Sequence, residues 1–108
     1  MTLEGLIRKL RREEGVKGIW LIGSVTDVPK PSDIDIVVNV YGLAPGFEDA
    51  FMEKYQDVSV THRGMQLPID IHLQSTSSPE GQILEQYQGP SPKYGRVFKP
   101  QRIYLKEQ

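Results

Sequence analysis

The sequence predicts one α+β domain in which helices and strands alternate along the chain. Amphipathic stretches with helical spacing and short runs of β-branched residues indicate both kinds of element. The 108 residues have the usual size of one domain, and no linker, repeat or low-complexity tract divides them. We therefore expect a single domain over 1–108, with a core over about 1–75 and a helix and an extended segment over 76–108.

The first predicted element is a helix over about 2–14. Thr2 is a favourable N-cap, and leucine and isoleucine residues recur behind it at helical spacing. The opposite side of this helix carries a basic group made of Arg8, Lys9, Arg11 and Arg12. Such a group is usually the solvated side of a helix, and we expect that role here in preference to a nucleic-acid patch.

Two strands follow the first helix, with a loop between them. The apolar, glycine-bounded run 18–23 predicts a buried strand, and 24–32 has the prolines and short polar side chains of a loop. Ile34–Val40 is nearly all β-branched and predicts the second strand. Asp33 and Asp35 share one face of it, because side chains alternate along a strand with a period of two.

The middle of the chain predicts a second helix and a hairpin. Aromatic and alanine residues at helical spacing mark a helix over about 46–56. Alternating apolar residues at 58–60 and 67–74 predict two strands joined by a turn. Asp70 and His72 then point to the polar face of the later strand, where we expect His72 to face solvent or cap a neighbour.

The last third of the chain is predicted to contain one short helix and one edge strand. The helix lies between a Ser-Pro start at 78–79 and a Gly-Pro stop at 89–90. Prolines and a glycine break 90–100 into extended or looping pieces, and 102–105 has the pattern of an edge strand.

Composition excludes several kinds of protein. Cysteine is absent, which rules out disulfides, thiolate chemistry and zinc or iron–sulfur sites held by cysteine. A formal net charge of -1 gives no extended nucleic-acid surface and no attraction to an anionic membrane. No apolar run approaches the roughly 20 residues that span a bilayer, and the N-terminal stretch does not resemble a signal peptide. We expect a cytoplasmic protein with no membrane contact.

Three carboxylates carry the predicted chemistry. Asp33 and Asp35 begin one strand, and Asp70 lies inside another, where aspartate is disfavoured. Like charges packed on a sheet destabilise it unless a cation neutralises them. Oxygen-only ligation suits Mg²⁺ or Mn²⁺, which bind through carboxylates and substrate phosphates. Gly23 and Ser24, directly after a strand, provide a backbone and a hydroxyl that can approach a phosphate.

These residues resemble the motif set of a known family. Its pattern is found in GS at 23–24, SDIDI at 32–36 and PIDI at 68–71. Together they resemble the DNA polymerase beta-like nucleotidyltransferase superfamily, in the form of its minimal nucleotidyltransferase domain. The resemblance covers about residues 1–75. It implies a nucleotidyltransferase fold, with a mixed β-sheet flanked by helices.

The resemblance also implies an activity. It is the Mg²⁺- or Mn²⁺-dependent transfer of a nucleoside monophosphate, with ATP as the favoured donor, to a hydroxyl acceptor by a mechanism with two ions. The residues implied as catalytic and metal-binding are Asp33, Asp35 and Asp70. Those implied in nucleotide binding are Gly23, Ser24 and Ser32. Two ions of this kind stabilise both the entering and the leaving oxygen of an in-line displacement.

The sequence leaves two questions open, the partner of the chain and whether it is catalytically active. A domain of this size has little surface for an acceptor, so we expect a homodimer or a partner protein. The resemblance implies a HEPN-like partner, because many such small domains work as antitoxins that adenylylate a HEPN-like toxin. The family's small members usually carry Arg-Gly in a longer loop after Gly-Ser, whereas this chain has the shorter 25–31. That departure favours the alternative of a catalytically weak or inactive subunit that binds a partner. A third reading, an interaction domain without nucleotide, requires the three carboxylates to lie apart.

Overall fold

The computed structural model describes residues 1–41, 46–76, 78, 82, 83, 95 and 97–106. Over these residues the protein is a small α+β domain with a five-stranded mixed sheet and two α-helices. The helices are α1 (Leu3–Arg12) and α2 (Phe47–Lys54), and a short 3-10 helix covers Gly23–Thr26. The strands are β1 (Val16–Ile22), β2 (Ile34–Val40), β3 (Ser59–His62), β4 (Met65–Gln74) and β5 (Gln101–Leu105).

The sheet has the order β3-β4-β2-β1-β5. β2 and β4 are parallel, and the other neighbouring pairs are antiparallel. The chain passes from β2 through α2 and β3 before it returns as β4, and this crossover makes β4 parallel to β2. The predicted α+β class with a mixed sheet is confirmed, and the nucleotidyltransferase fold stays a prediction.

The first helix begins as predicted. The Gly5 N–H donates to the Thr2 hydroxyl oxygen at 3.0 Å, which confirms Thr2 as the N-cap. The helix ends at Arg12 and not at 14, because Glu13 already has extended backbone angles and Gly15 has a φ of 84°. The leucines of this helix are buried, and each contributes about 1.5–3 kcal/mol of hydrophobic stabilisation.

The two faces of the sheet bury different clusters. The larger cluster lies under α1 and α2 and includes Ile34, Ile36 and Val38 of β2. A smaller cluster on the opposite face consists of Trp20, Ile22, Val37 and Ile83. Asp35 is on the same face as Val37, because side chains alternate along β2. The main core therefore supports the sheet from one side, and the predicted carboxylate site lies on the other.

The strands agree well with the sequence prediction. β2 has the predicted bounds, whereas β1 starts two residues earlier, at Val16. The turn at Arg63 and Gly64 has positive φ at both residues, 53° and 77°, as a tight hairpin loop requires. Among the described strands, β5 pairs with β1 alone, which agrees with the predicted edge strand.

The predicted loop over 24–32 is described in full, and the predicted helix after residue 78 only in part. The predicted loop 24–32 begins as a 3-10 turn, in which the Thr26 hydroxyl donates to the Gly23 carbonyl oxygen at 2.8 Å. The predicted helix between 78 and 89 lies largely outside the described residues, although Gln82 and Ile83 are helical. The described residues contain no helix with the length and hydropathy of a membrane span.

Candidate functional site

Asp35 and Asp70 are direct neighbours across the parallel pair of strands. Asp35 is the second residue of β2 and pairs in register with Asp70 of β4. Both side chains project from the face opposite the main core, since their neighbours Ile34, Ile36 and Ile71 belong to that core. The fold thus brings together two carboxylates that are 35 positions apart in the sequence.

His72 completes the cluster. Its Nε2 atom lies 3.4 Å from Asp35 Oδ1 and 3.5 Å from Asp70 Oδ2. One ligand atom from each of these three residues lies within 4.8 Å of the other two. The side chains of Asp35 and His72 are 25% and 36% exposed, and that of Asp70 is 66% exposed. The cluster is therefore open to solvent on the Asp70 side. We call Asp35, Asp70 and His72 the acidic cluster.

The two aspartates change the titration of the histidine. The hydrogen bond to Asp35 raises the pKa of His72 above its ordinary value of 6.5. Burial acts in the opposite direction, and the negative charges of Asp70 and Asp35 raise the pKa further. The two carboxylates therefore favour the protonated form of His72, and that form offsets part of their negative charge.

The Gly23-Ser24 turn lies against the acidic cluster. Ile22 pairs with Asp35 in the β1–β2 register, so the residue after it reaches the same end of the sheet. Gly23 has a φ of 71°, and a Cβ atom there would lie 3.2 Å from Asp35 Oδ2. Glycine at this position permits both the backbone conformation and the close approach to the carboxylate.

Ser24 is part of this turn and is buried, with only 8% of the residue exposed. Its carbonyl oxygen accepts hydrogen bonds from the N–H groups of Asp27, at 3.2 Å, and Val28, at 2.8 Å. The turn is therefore held by its own backbone, beside Asp35.

Asp33 and Ser32 precede the first residue of β2. Asp33 is partly buried and Ser32 is exposed. Among the described residues, Asp35, Asp70 and His72 are the three whose possible metal-ligand atoms lie close together. Asp33 is not part of this group. The backbone ladder begins at Ile34, so strand pairing fixes the direction of Asp35 but not that of Asp33. The predicted roles of Asp33 and Ser32 stay predictions.

The sequence predicts that His72 faces solvent or caps a neighbour, whereas in the structure it contacts both carboxylates of the acidic cluster. The available signal was its position two residues after Asp70, on the same face of a strand. Its contact with Asp35 depends on the register between β2 and β4, which the sequence did not supply.

The donor atoms of the acidic cluster suit a divalent cation. Two carboxylates are ligands for Mg²⁺, Mn²⁺ or Ca²⁺, whereas an imidazole nitrogen favours transition metals. The sequence predicts Mg²⁺ or Mn²⁺, and of these two metals Mn²⁺ binds carboxylate and imidazole ligands together more readily. The three residues could therefore hold one such ion, with Asp70 on the solvent side.

Comparison with known proteins adds no relative. No protein-family model, no curated protein and no solved structure matches the chain.

Proposed function

We propose that this protein is a metal-dependent nucleotidyltransferase that resembles the DNA polymerase beta-like superfamily. It transfers a nucleoside monophosphate, preferably AMP from ATP, to a hydroxyl group of an acceptor. The observation that carries the proposal is the in-register pairing of Asp35 and Asp70 on parallel strands, with the Gly23 turn against Asp35. This arrangement joins a candidate cation site to a backbone turn that a phosphate can approach.

The position of each residue in the site suggests its role in the proposed reaction. Asp35 and Asp70, with His72 as a third donor, would hold a divalent cation. When bound, such a cation would offset the charge of the triphosphate and polarise the reacting phosphate. Asp70 is the most exposed member of the acidic cluster, so the acceptor hydroxyl approaches from its side. Gly23 and Ser24, whose turn lies beside Asp35, would provide backbone groups for the departing β- and γ-phosphates.

The transfer has a simple balance. The acceptor oxygen forms a bond to the α-phosphorus, and the bond from that phosphorus to the bridging oxygen of the leaving group breaks. The acceptor hydroxyl would release its proton to water on the solvent-exposed side of Asp70, and pyrophosphate would leave with the electron pair of the broken bond. No oxidant or reductant is required.

A specific observation favours a second candidate function. His72 lies between the two carboxylates, and its protonated form compensates their charge without a cation. A chain with this arrangement can keep the fold and act by binding a partner protein, with no transfer reaction. The two candidates differ in whether the chain transfers a nucleoside monophosphate to an acceptor.

One experiment separates them. The chain is incubated with ATP labelled at the α-phosphate, with Mn²⁺ or Mg²⁺, and with the product of the neighbouring gene as acceptor. We compare the unchanged protein with Asp35→Asn and with the control Asp57→Asn. Asp57 is exposed and has a φ of 58°, a conformation that asparagine tolerates, so the control removes one carboxylate without disturbing the fold.

The proposal predicts label on the acceptor with the unchanged protein and with Asp57→Asn, and none with Asp35→Asn. If all three proteins bind the acceptor protein and none of them labels it, the result would contradict the enzyme and support the binding subunit.

A further inference from the structure

A second charged site lies on the other side of the sheet. It is a groove of about 460 Å³ along the outer side of α1, next to the end of α2. The residues that line it are Gly5, Arg8, Lys9, Arg12, Glu13 and Lys54. The buried side of α1 packs into the main core, so this basic groove faces away from the acidic cluster. It is therefore independent of the proposed transferase site.

The charge of the basic groove contrasts with that of the whole chain. Four basic residues and one acidic residue line it, which leaves a formal charge of +3. The whole chain carries -1, so the remaining residues sum to -4. The positive charge is thus concentrated at one place, and it creates a local attraction for anions that the net charge conceals.

The single acidic residue of the groove is already neutralised. The Glu13 carboxylate accepts a hydrogen bond from the Tyr55 hydroxyl at 2.7 Å and forms an ion pair with Lys54. Burial alone would raise the pKa of Glu13, but these two contacts and the charge of Lys9 lower it below its ordinary value. Glu13 therefore holds Lys54 and Tyr55 and does not compete with an incoming anion for the two arginines of the groove.

Two arginines remain available. Arg8 and Arg12 are exposed and lie one turn apart on α1. Neither forms a hydrogen bond or an ion pair with another residue in the described part of the chain. Like charges four residues apart on a helix destabilise it, so an anion between them would be stabilising. The guanidinium group also matches a carboxylate with two parallel hydrogen bonds.

The spacing of these arginines indicates the shape of the anion. Four residues of α-helix advance by about 6 Å, the separation of Arg8 and Arg12 along the axis. Alternate residues of an extended peptide lie about 6.6 Å apart on one face. The basic stretch from Gly5 to Arg12 is only about 10 Å long, too short for the several phosphate contacts of a nucleic-acid track.

We propose that the basic groove binds an acidic segment of a partner protein, in which carboxylates at alternate positions pair with Arg8 and Arg12. The segment lies extended along α1, and Lys9 and Lys54 border it on the side of α2.

The test measures binding of two fluorescently labelled peptides by anisotropy. One has glutamate at alternate positions, and the other has glutamine in their place. A single-stranded oligonucleotide of equal charge is the third probe. The double variant Arg8→Gln/Arg12→Gln removes the two arginines, and Lys99→Gln/Lys106→Gln removes the same charge from exposed positions outside the groove.

We expect the glutamate peptide to bind, the glutamine peptide not to bind, and added salt to weaken binding. The arginine double variant should bind the glutamate peptide about tenfold more weakly, and the lysine variant as well as the unchanged protein. Unchanged binding by the arginine variant, or an equal loss in both variants, would overturn the proposal. Tighter, arginine-dependent binding of the oligonucleotide would overturn it too, in favour of a nucleic-acid site. None of these results depends on transferase activity.

Discussion

Replacing Gly23 by alanine probes the contact between the Gly23-Ser24 turn and the acidic cluster. Gly23 has a φ of 71°, and its added Cβ would lie 3.2 Å from Asp35 Oδ2. Gly64 offers a matched control. It has a φ of 77°, and an added Cβ there meets no atom within 4 Å. Both variants strain the backbone, but only Gly23→Ala displaces the Asp35 carboxylate.

The expected magnitudes follow from the positive φ of both glycines and from the Cβ contact at Gly23 alone. An alanine forced into the left-handed region costs about 1–2 kcal/mol. We therefore expect the free energy of unfolding to fall by about this amount in both variants. In Gly23→Ala the carboxylate must also shift by a few tenths of an ångström, because 3.2 Å is shorter than an ordinary contact. Displacing a ligand in this way weakens metal binding about tenfold.

Two assays separate the effects. Urea denaturation measures the free energy of unfolding, and a Mn²⁺ titration followed by water-proton relaxation measures the affinity for the ion. The expected result is a similar loss of stability in both variants and a loss of Mn²⁺ affinity in Gly23→Ala alone. If the two variants bind Mn²⁺ with the same affinity, the Gly23 turn does not position Asp35 and the reasoning is refuted.

Three further predictions follow from single contacts. Gly18→Ala should lower the free energy of unfolding by about 1–3 kcal/mol, because its Cβ would overlap the buried ring of Trp20. Unchanged urea denaturation would contradict this. The lowered pKa of Glu13 means that its stabilisation is present above about pH 4.5 and is lost as the pH falls through the folded-state pKa. Glu13→Gln should therefore be less stable near neutral pH and lose less stability between neutral pH and pH 3, whereas parallel curves of stability against pH would exclude the contact. For His72, an NMR titration should give a pKa above 6.5, and Asp35→Asn should lower it, since the hydrogen bond to Asp35 is the main cause of the increase. An unchanged value in the variant would contradict the contact.

The sequence predicts local structure better than it predicts pairing. Thr2 marks the start of α1, and the β-branched run marks β2 to the residue, because capping and strand preference are local properties. The neighbours of β2 depend on the crossover through α2 and β3. That arrangement is a property of the whole chain, and no local pattern specifies it.

The candidate site shows the same division. The residue type and strand position of Asp35 and Asp70 are visible in the sequence, and the structure brings the two together. The contribution of His72 is not visible, because its 3.4 Å contact with Asp35 spans two strands. Asp33 lies before the first paired residue of β2, so the strand period that groups it with Asp35 does not fix its side chain.

Binding of a non-hydrolysable ATP analogue, measured by calorimetry with and without Mn²⁺, tests the proposed function most directly. The proposal predicts that the analogue binds only with Mn²⁺, and that Asp35→Asn loses this binding while Asp57→Asn retains it. Binding that is independent of Mn²⁺, or equally strong in Asp35→Asn, would contradict the assignment of the acidic cluster as the metal and nucleotide site.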